Sequence, residues 1–306
     1  MIHYLKHTDI DQTKWDACIA RSSGANLYGY SWWLTIVCPQ WEALVMDDYR
    51  FVFPLAVAKK FGLPYLVQPP FTQRFAVYGD AKSIDAALFL SFLKAIPSRF
   101  LRLHCRFSVP ADMCFPKQYA VEWQKSQVID LSKPYSELQA QYSNNFWKND
   151  KKSKKYNLSV SSNVSLDQVV VLLKTEMDKK RKLPSAYYSK LHQLFTASAQ
   201  YFPIKFWGVR DENQDLILAS WMLDTGERIY KHYGTTSQAR EKGAVFFYID
   251  QLIKQNENQK KVFDFGGSDL EGVYQFNHSF GAEDEKIAYL KMDKFPFTLY
   301  GKIFKK

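Results

Sequence analysis

The chain has 306 residues, enough for two domains of ordinary size, with 46% hydrophobic and 16% aromatic residues and a formal charge of +10. That content excludes a disordered chain, and no apolar run reaches the roughly 18–20 residues of a membrane span. The opening MIHYLKHTDIDQTKW lacks the apolar core of a secretory leader, so a cytoplasmic protein is expected, and the surplus charge favours a polyanionic partner: RNA, a phosphorylated substrate or an anionic membrane face.

In chain order, a short strand is predicted at 3–6, helices at 11–20 and 28–37, and strands at 42–47, 51–58 and 65–68. A helix at 82–95 carries Ile84, Leu88 and Phe92, and a strand follows at 100–105. Asp130, Ser132 and Pro134 introduce a helix start over 135–142, which places a domain boundary near 125–135. A short strand fits 157–162. Leu166, Val169, Val170, Leu173 and Met177 then recur at helical spacing, and Pro184 separates that helix from a second one burying Tyr187, Tyr188, Leu191, Leu194 and Phe195. Strands at 204–210, 216–223 and 228–234 follow, the last two joined by Asp224, Thr225 and Gly226, a hairpin signal. Val245, Phe246, Ile249, Leu252 and Ile253 mark an amphipathic helix. A buried strand at 262–265, a short helix at 271–277 and a strand at 286–292 close the series.

The second half thus reads β-α-α-β-β-β-α-β-α-β, and the first half repeats it loosely in element order. A hairpin followed by a strand-helix-strand crossover implies a mixed sheet with helices on both faces. Lys148, Lys151, Lys152, Lys154 and Lys155 form one basic run, and Lys179, Lys180, Arg181 and Lys182 a second. Each run reads as solvated surface or as an anion-facing patch. The four cysteines, Cys18, Cys38, Cys105 and Cys114, form no CxxC pair, so reduced thiols and no metal site are expected.

This order resembles the GNAT acyltransferase fold, and two such units in tandem resemble the FemABX-like family. The stretches that carry the likeness are YGYSWWLTIV (28–37) with WEALV (41–45), FPLAV (53–57) with YLVQPPFTQ (65–73), NNFWKNDKKSKK (144–155), and FDFGGSD (263–269) with FNHSFGAE (276–283). The resemblance implies an α/β fold of two tandem GNAT-like units, each a mixed, mainly antiparallel sheet flanked by helices. Residues 1–128 would form a degenerate first unit, 129–295 the second, and 296–306 a basic tail packed back on the pair. It also implies transfer of an acyl group from acyl-CoA or aminoacyl-tRNA to an amine acceptor in the interdomain cleft, as in the family's peptidyl transferases that build peptidoglycan bridges. The acceptor would be an anionic small molecule or lipid-linked amine. A non-catalytic RNA-binding or cell-wall-associated scaffold is the rival reading, supported by Phe146, Trp147 and Tyr156 interleaved with lysines, where bases could stack. A third option is a small-molecule acetyltransferase unconnected with the cell wall.

In such a unit a loop before a helix N-terminus meets the cofactor's pyrophosphate, because backbone N–H groups and the helix dipole favour an anion. Arg240, Lys242, Gly243 and Ala244 match the first part of that pattern, although Val245 stands where a smaller residue is usual; a plain helix cap is the alternative. The corresponding place in the first half is QPPFTQ (68–73). Pro69 and Pro70 lack donors there, so a lost cofactor site is expected, with Gln73 and Arg74 left to face an acceptor. Acyl transfer needs a base and a group that polarises the carbonyl. His232, Tyr233 and Asp264 stand at the ends of central strands and are the catalytic candidates. Packing of His232 within its strand, and pairing of Asp264 with the amides of Gly266 and Gly267, are the structural alternatives. Lys152, Arg181 and Ser268 complete the candidate substrate-binding set. No nucleophile elbow is present, so direct transfer in a ternary complex is expected.

Overall fold

The computed structural model describes residues 1–22, 27–111, 113–180, 183–267 and 270–298, leaving the Lys180 side chain aside. The chain forms two compact units, Met1–Gln124 with Lys286–Lys306, and Lys125–Glu285.

The first unit opens with β1 (Ile2–Leu5), α1 (Gln12–Ala20), α2 (Ser31–Val37), β2 (Glu42–Met46) and β3 (Phe51–Leu55), in which β1, β2 and β3 form an antiparallel sheet. It continues through β4 (Val57–Lys60), β5 (Leu63–Val67), α3 (Ala86–Ala95) and β6 (Arg102–Phe107). α1 starts where Asp11 accepts from Thr13 N and Lys14 N, each at 3.0 Å. α3 starts at 86 rather than at 82 because Asp85 accepts from Leu88 N at 2.8 Å, and Ala81–Ser83 forms a separate 3₁₀ turn. Each such cap contributes about 1 kcal/mol. The core is aromatic: Phe53 stacks on Phe107 at 5.4 Å and on Phe92 at 5.9 Å, and Trp15 meets Trp41 at 4.8 Å.

Strand β7 (Ala120–Asp130) leads into the second unit, which continues with α4 (Tyr135–Ala140), α5 (Asn144–Lys155), β8 (Ser159–Ser161), α6 (Leu166–Lys180) and α7 (Ser185–Ser198). There follow β9 (Ile204–Arg210), β10 (Leu216–Asp224), β11 (Arg228–Thr235), α8 (Ser237–Glu241), α9 (Ala244–Gln255), β12 (Val262–Asp264) and α10 (Glu271–His278). β13 (Glu283–Asp293) begins in this unit and ends in the first, where Ala288–Asp293 pairs antiparallel with β6. The sheet of the second unit runs β7-β12-β11-β10-β9-β8. All its pairs are antiparallel except β11 with β12, which a crossover through α8 and α9 makes parallel. The fold is therefore the mixed α/β arrangement that the element order implied.

Helices cover both faces of this sheet. On one face α6 lies so close to β11 that a Cβ on Gly234 would stand 2.2 Å from Leu173 N. On the other, Tyr248 of α9 meets Tyr233 at 6.0 Å, above a core of Phe146, Ile249, Leu252, Phe263 and Phe280. Burying such side chains contributes about 1.5–3 kcal/mol each. Among the described residues no helix is long and apolar enough to cross a membrane. Of the C-terminal segment, Phe297 is buried and its ring lies 5.6 Å from that of Tyr65; residues 299–306 lie outside the described residues.

Candidate active site

The parallel ladder of β11 and β12 has three positions, Arg228↔Val262, Ile229↔Phe263 and Tyr230↔Asp264. β12 ends there, while β11 runs on to Thr235 beside β10. Ligands of α/β sheets bind beyond the carboxyl ends of such parallel strands, where one strand has parted from its neighbour. Gly266 (φ +89°) and Gly267 (φ +58°) turn the chain away from β12 in the left-handed region.

Asp264 anchors this turn. Its side chain is fully buried, accepts from Arg228 Nη1 at 2.7 Å, from Gly266 N at 2.8 Å and from Ser126 Oγ at 3.2 Å, and Arg228 also grips Glu285 at 3.0 Å. Burial opposes the charge on Arg228, but the Asp264 carboxylate prevails and holds the guanidinium above its usual range. The Gly266 amide is thus one of the partners that the sequence offered for Asp264. A second polar group lies behind the turn. Gln127 accepts from Asn277 Nδ2 at 3.0 Å and donates to Asp284 at 3.3 Å, and its carbonyl accepts from Phe265 N. Burial pushes Asp284 up, yet hydrogen bonds from Lys125, Gln127 and His278 outweigh it and hold the carboxyl at about 2.

Strand alternation separates the other two catalytic candidates. His232 points to the α6–α7 face, with its ring 5.4 Å from Trp221 and 6.1 Å from Phe195. Desolvation first, and the charge of Lys231 second, lower its pKa to about 4. Tyr233 faces α9 instead, and desolvation raises its hydroxyl to about 12. Lys231 shares the Tyr233 face. Its ammonium donates to the Phe265 carbonyl at 3.3 Å and lies 5.1, 5.4 and 5.8 Å from the rings of Tyr233, Phe265 and Phe263. Burial lowers its pKa to about 8, against the opposing pull of Asp264. Sequence reasoning passed over Lys231. The available signal was a lysine between the tyrosines of the strand RIYKHYG. Ser126 and Gln127 gave no signal, since two polar residues side by side in a strand mark no pattern.

The four cofactor candidates lie at the α8–α9 junction: Arg240 in α8, Lys242 and Gly243 between the helices, and Ala244 at the first position of α9. Gly243 adopts φ +73° and precedes α9, and an added Cβ there would stand 2.5 Å from the Asn149 carbonyl oxygen of α5. Ala244 is fully buried. Lys242 Nζ contacts Asp211 and Glu212, both at 2.8 Å, and lies over the Tyr156 ring at 5.1 Å; hydrogen bonds to the two carboxylates raise its pKa. Arg240 pairs with Glu176. Both cations assigned to a pyrophosphate already hold carboxylates, and the helix start abuts α5.

α5 presents the opposite situation. Phe146 and Ser153 are buried, while Trp147, Lys148, Lys151, Lys152 and Lys155 are exposed within one broad outward arc. Lys154 pairs with Asp150 at 2.7 Å; the four lysines of the arc form no ion pair among the described residues. In the first unit Gln73 is half-buried and Arg74 buried, in a loop where Gln68 donates to the Thr72 carbonyl at 2.7 Å. Arg181 and Ser268 lie outside the described residues. The structure thus brings Lys231, Tyr233 and the Asp264 turn together, and leaves Lys152 on the exposed α5 arc.

No family model matches the chain, and no curated protein matches it. Solved structures do share its fold. FemX aligns with a TM-score of 0.64 at 13% identity, over 96% of this chain and 98% of that one. A conserved protein of unknown function from Bacteroides thetaiotaomicron aligns at 0.61 with 12% identity, over 96% and 100%. L-PGS from Bacillus licheniformis aligns at 0.50 with 16% identity, over 95% of both chains. The chain therefore has the fold shared by FemX and L-PGS along nearly its whole length.

Proposed function

We propose that the chain is a transferase moving an aminoacyl group from tRNA to an amine acceptor, with the reaction in the second unit beyond the end of β12, where β11 parts from it. One contrast carries the choice of donor. The cations beside Gly243 are neutralised by Glu176, Asp211 and Glu212, whereas Lys148, Lys151, Lys152 and Lys155 on α5 have no ion-pair partner among the described residues. A CoA pyrophosphate would have to displace carboxylates; a phosphate backbone meets an arc of charge already vacant. The fold shared with FemX and L-PGS is consistent with this chemistry, and the family resemblance adds a peptidoglycan-type amine as acceptor. Of the three rings named for base stacking, Phe146 is buried in the core, whereas Trp147 is exposed on the α5 arc.

The test is binding and transfer with bulk aminoacyl-tRNA, CoA and acetyl-CoA, using a lysine-containing muropeptide as acceptor. Four phosphate contacts give a slope of about −3 to −4 in log affinity against log salt. Wild-type protein should bind tRNA with that slope, and the Lys148→Glu, Lys151→Glu, Lys152→Glu, Lys155→Glu variant should lose most of it. Saturable acetyl-CoA binding that Arg240→Ala abolishes, with no tRNA binding, would overturn the donor assignment.

A further inference from the structure

Lys231 is the first residue of β11 past the last position of the parallel ladder, Tyr230↔Asp264. Its ammonium therefore stands where the two strands part. The surroundings hold an ammonium ion less firmly than water does, without excluding it. Around Nζ are three aromatic rings and one carbonyl, that of Phe265. Rings and a single carbonyl stabilise a cation far less than a paired carboxylate does. The nearest acid along the strands, Asp264, is oriented away into its bonds with Arg228, Gly266 and Ser126. Neutral at one moment and charged the next, such a group can take up a proton and release it.

We propose that the Lys231 amine is the general base of the transfer, taking one proton from the acceptor ammonium so that its nitrogen can attack. This inference rests on the transferase reading above. In the step, Lys231 Nζ accepts a proton and the acceptor becomes a free amine. Its lone pair attacks the donor carbonyl, the C–N bond forms and the C–O bond to the tRNA ribose breaks. The second proton of the acceptor nitrogen goes to the departing ribose oxygen, and Lys231 later returns its proton to water. Atoms and charges balance without another co-reactant.

The other titratable groups around the site are poorly matched. Tyr233 on the same face, with a pKa near 12, keeps its proton at neutral pH, as does Tyr248 of α9, which burial raises further. His232 of the same strand points to the opposite face of the sheet, and Arg228 stays charged beside Asp264 and Glu285. Burial against rings is what brings Lys231 to about 8, within the range where a base works near neutral pH.

Two measurements on the full chain test this. The pH dependence of Lys231 modification by acetic anhydride, read by mass spectrometry, should inflect near pH 8. The single-turnover rate of aminoacyl transfer should rise through pH 8 in the wild type. It should fall about 10²–10⁴-fold in Lys231→Met and in Lys231→Arg, with unchanged Tm, and added ethylamine should restore part of it in Lys231→Met. An inflection above pH 10 for Lys231, or a Lys231→Arg enzyme with wild-type rate, overturns the assignment. Wild-type protein that transfers nothing to any amine sinks the transferase reading itself, a result distinct from an active enzyme indifferent to Lys231.

Discussion

Replacing Gly243 with alanine separates two reasons for glycine before α9. A ligand cradle needs glycine only when a phosphate approaches; the structure gives a reason that acts in the empty protein. Gly243 has φ +73°, which costs an L-residue roughly 1–2 kcal/mol. The new Cβ would also stand 2.5 Å from the Asn149 carbonyl oxygen, a backbone atom that cannot rotate away. Forcing such contacts open costs about 1–3 kcal/mol more, so the total is about 2–5 kcal/mol. Gly226 supplies the control. It has φ +90° in the β10–β11 hairpin, but no atom lies within 4 Å of its Cβ position, so Gly226→Ala carries only the backbone cost. Calorimetric and fluorescence melting without ligand should lower Tm by at least about 4 °C in Gly243→Ala, and by clearly less in Gly226→Ala. Equal losses in the two variants, or a Gly243→Ala protein within about 0.5 kcal/mol of wild type, would refute the close approach of α5 and α9.

Two further predictions concern the catalytic candidates. Asp264→Asn weakens an ion pair whose carboxylate is fully buried and should destabilise the second unit by about 3–5 kcal/mol in urea unfolding, whereas Arg228→Met with Asp264→Leu should lie much nearer wild type. An Asp264→Asn protein of unchanged stability but lost transfer would instead make Asp264 a catalytic group. The His232 imidazole, desolvated between Trp221 and Phe195, has a folded pKa of about 4, below its ordinary value near 6.5. A depressed folded pKa means that its contribution is whole above pH 6.5 and declines as pH falls from 6.5 to 4. His232→Gln should flatten the stability profile in that window, and an NMR midpoint near 6.5 in the native protein would contradict the desolvated site.

Periodicity made most of the second unit legible. IKFWGVR, LILASWML and RIYKHYG alternate as strands do, and β9, β10 and β11 occupy those stretches to within a residue. The hairpin glycine, the crossover helix and the order of elements were readable for the same reason: each depends on near neighbours in the chain. β7 was not readable. It buries Ser126 on one face and Gln127 on the other, and their burial is tolerable only because Asp264, Asn277 and Asp284 satisfy them from far along the sequence. Charge behaved likewise. The sequence showed that Arg240, Lys242 and the α5 lysines were present; the tertiary structure decided that Glu176, Asp211 and Glu212 neutralise the first two, while the α5 arc has no ion-pair partner among the described residues. It likewise set Lys231 against three rings and one carbonyl. Local pattern determines which face of an element is apolar, but the charge state and partners of a side chain depend on what the fold brings within a few ångströms of it.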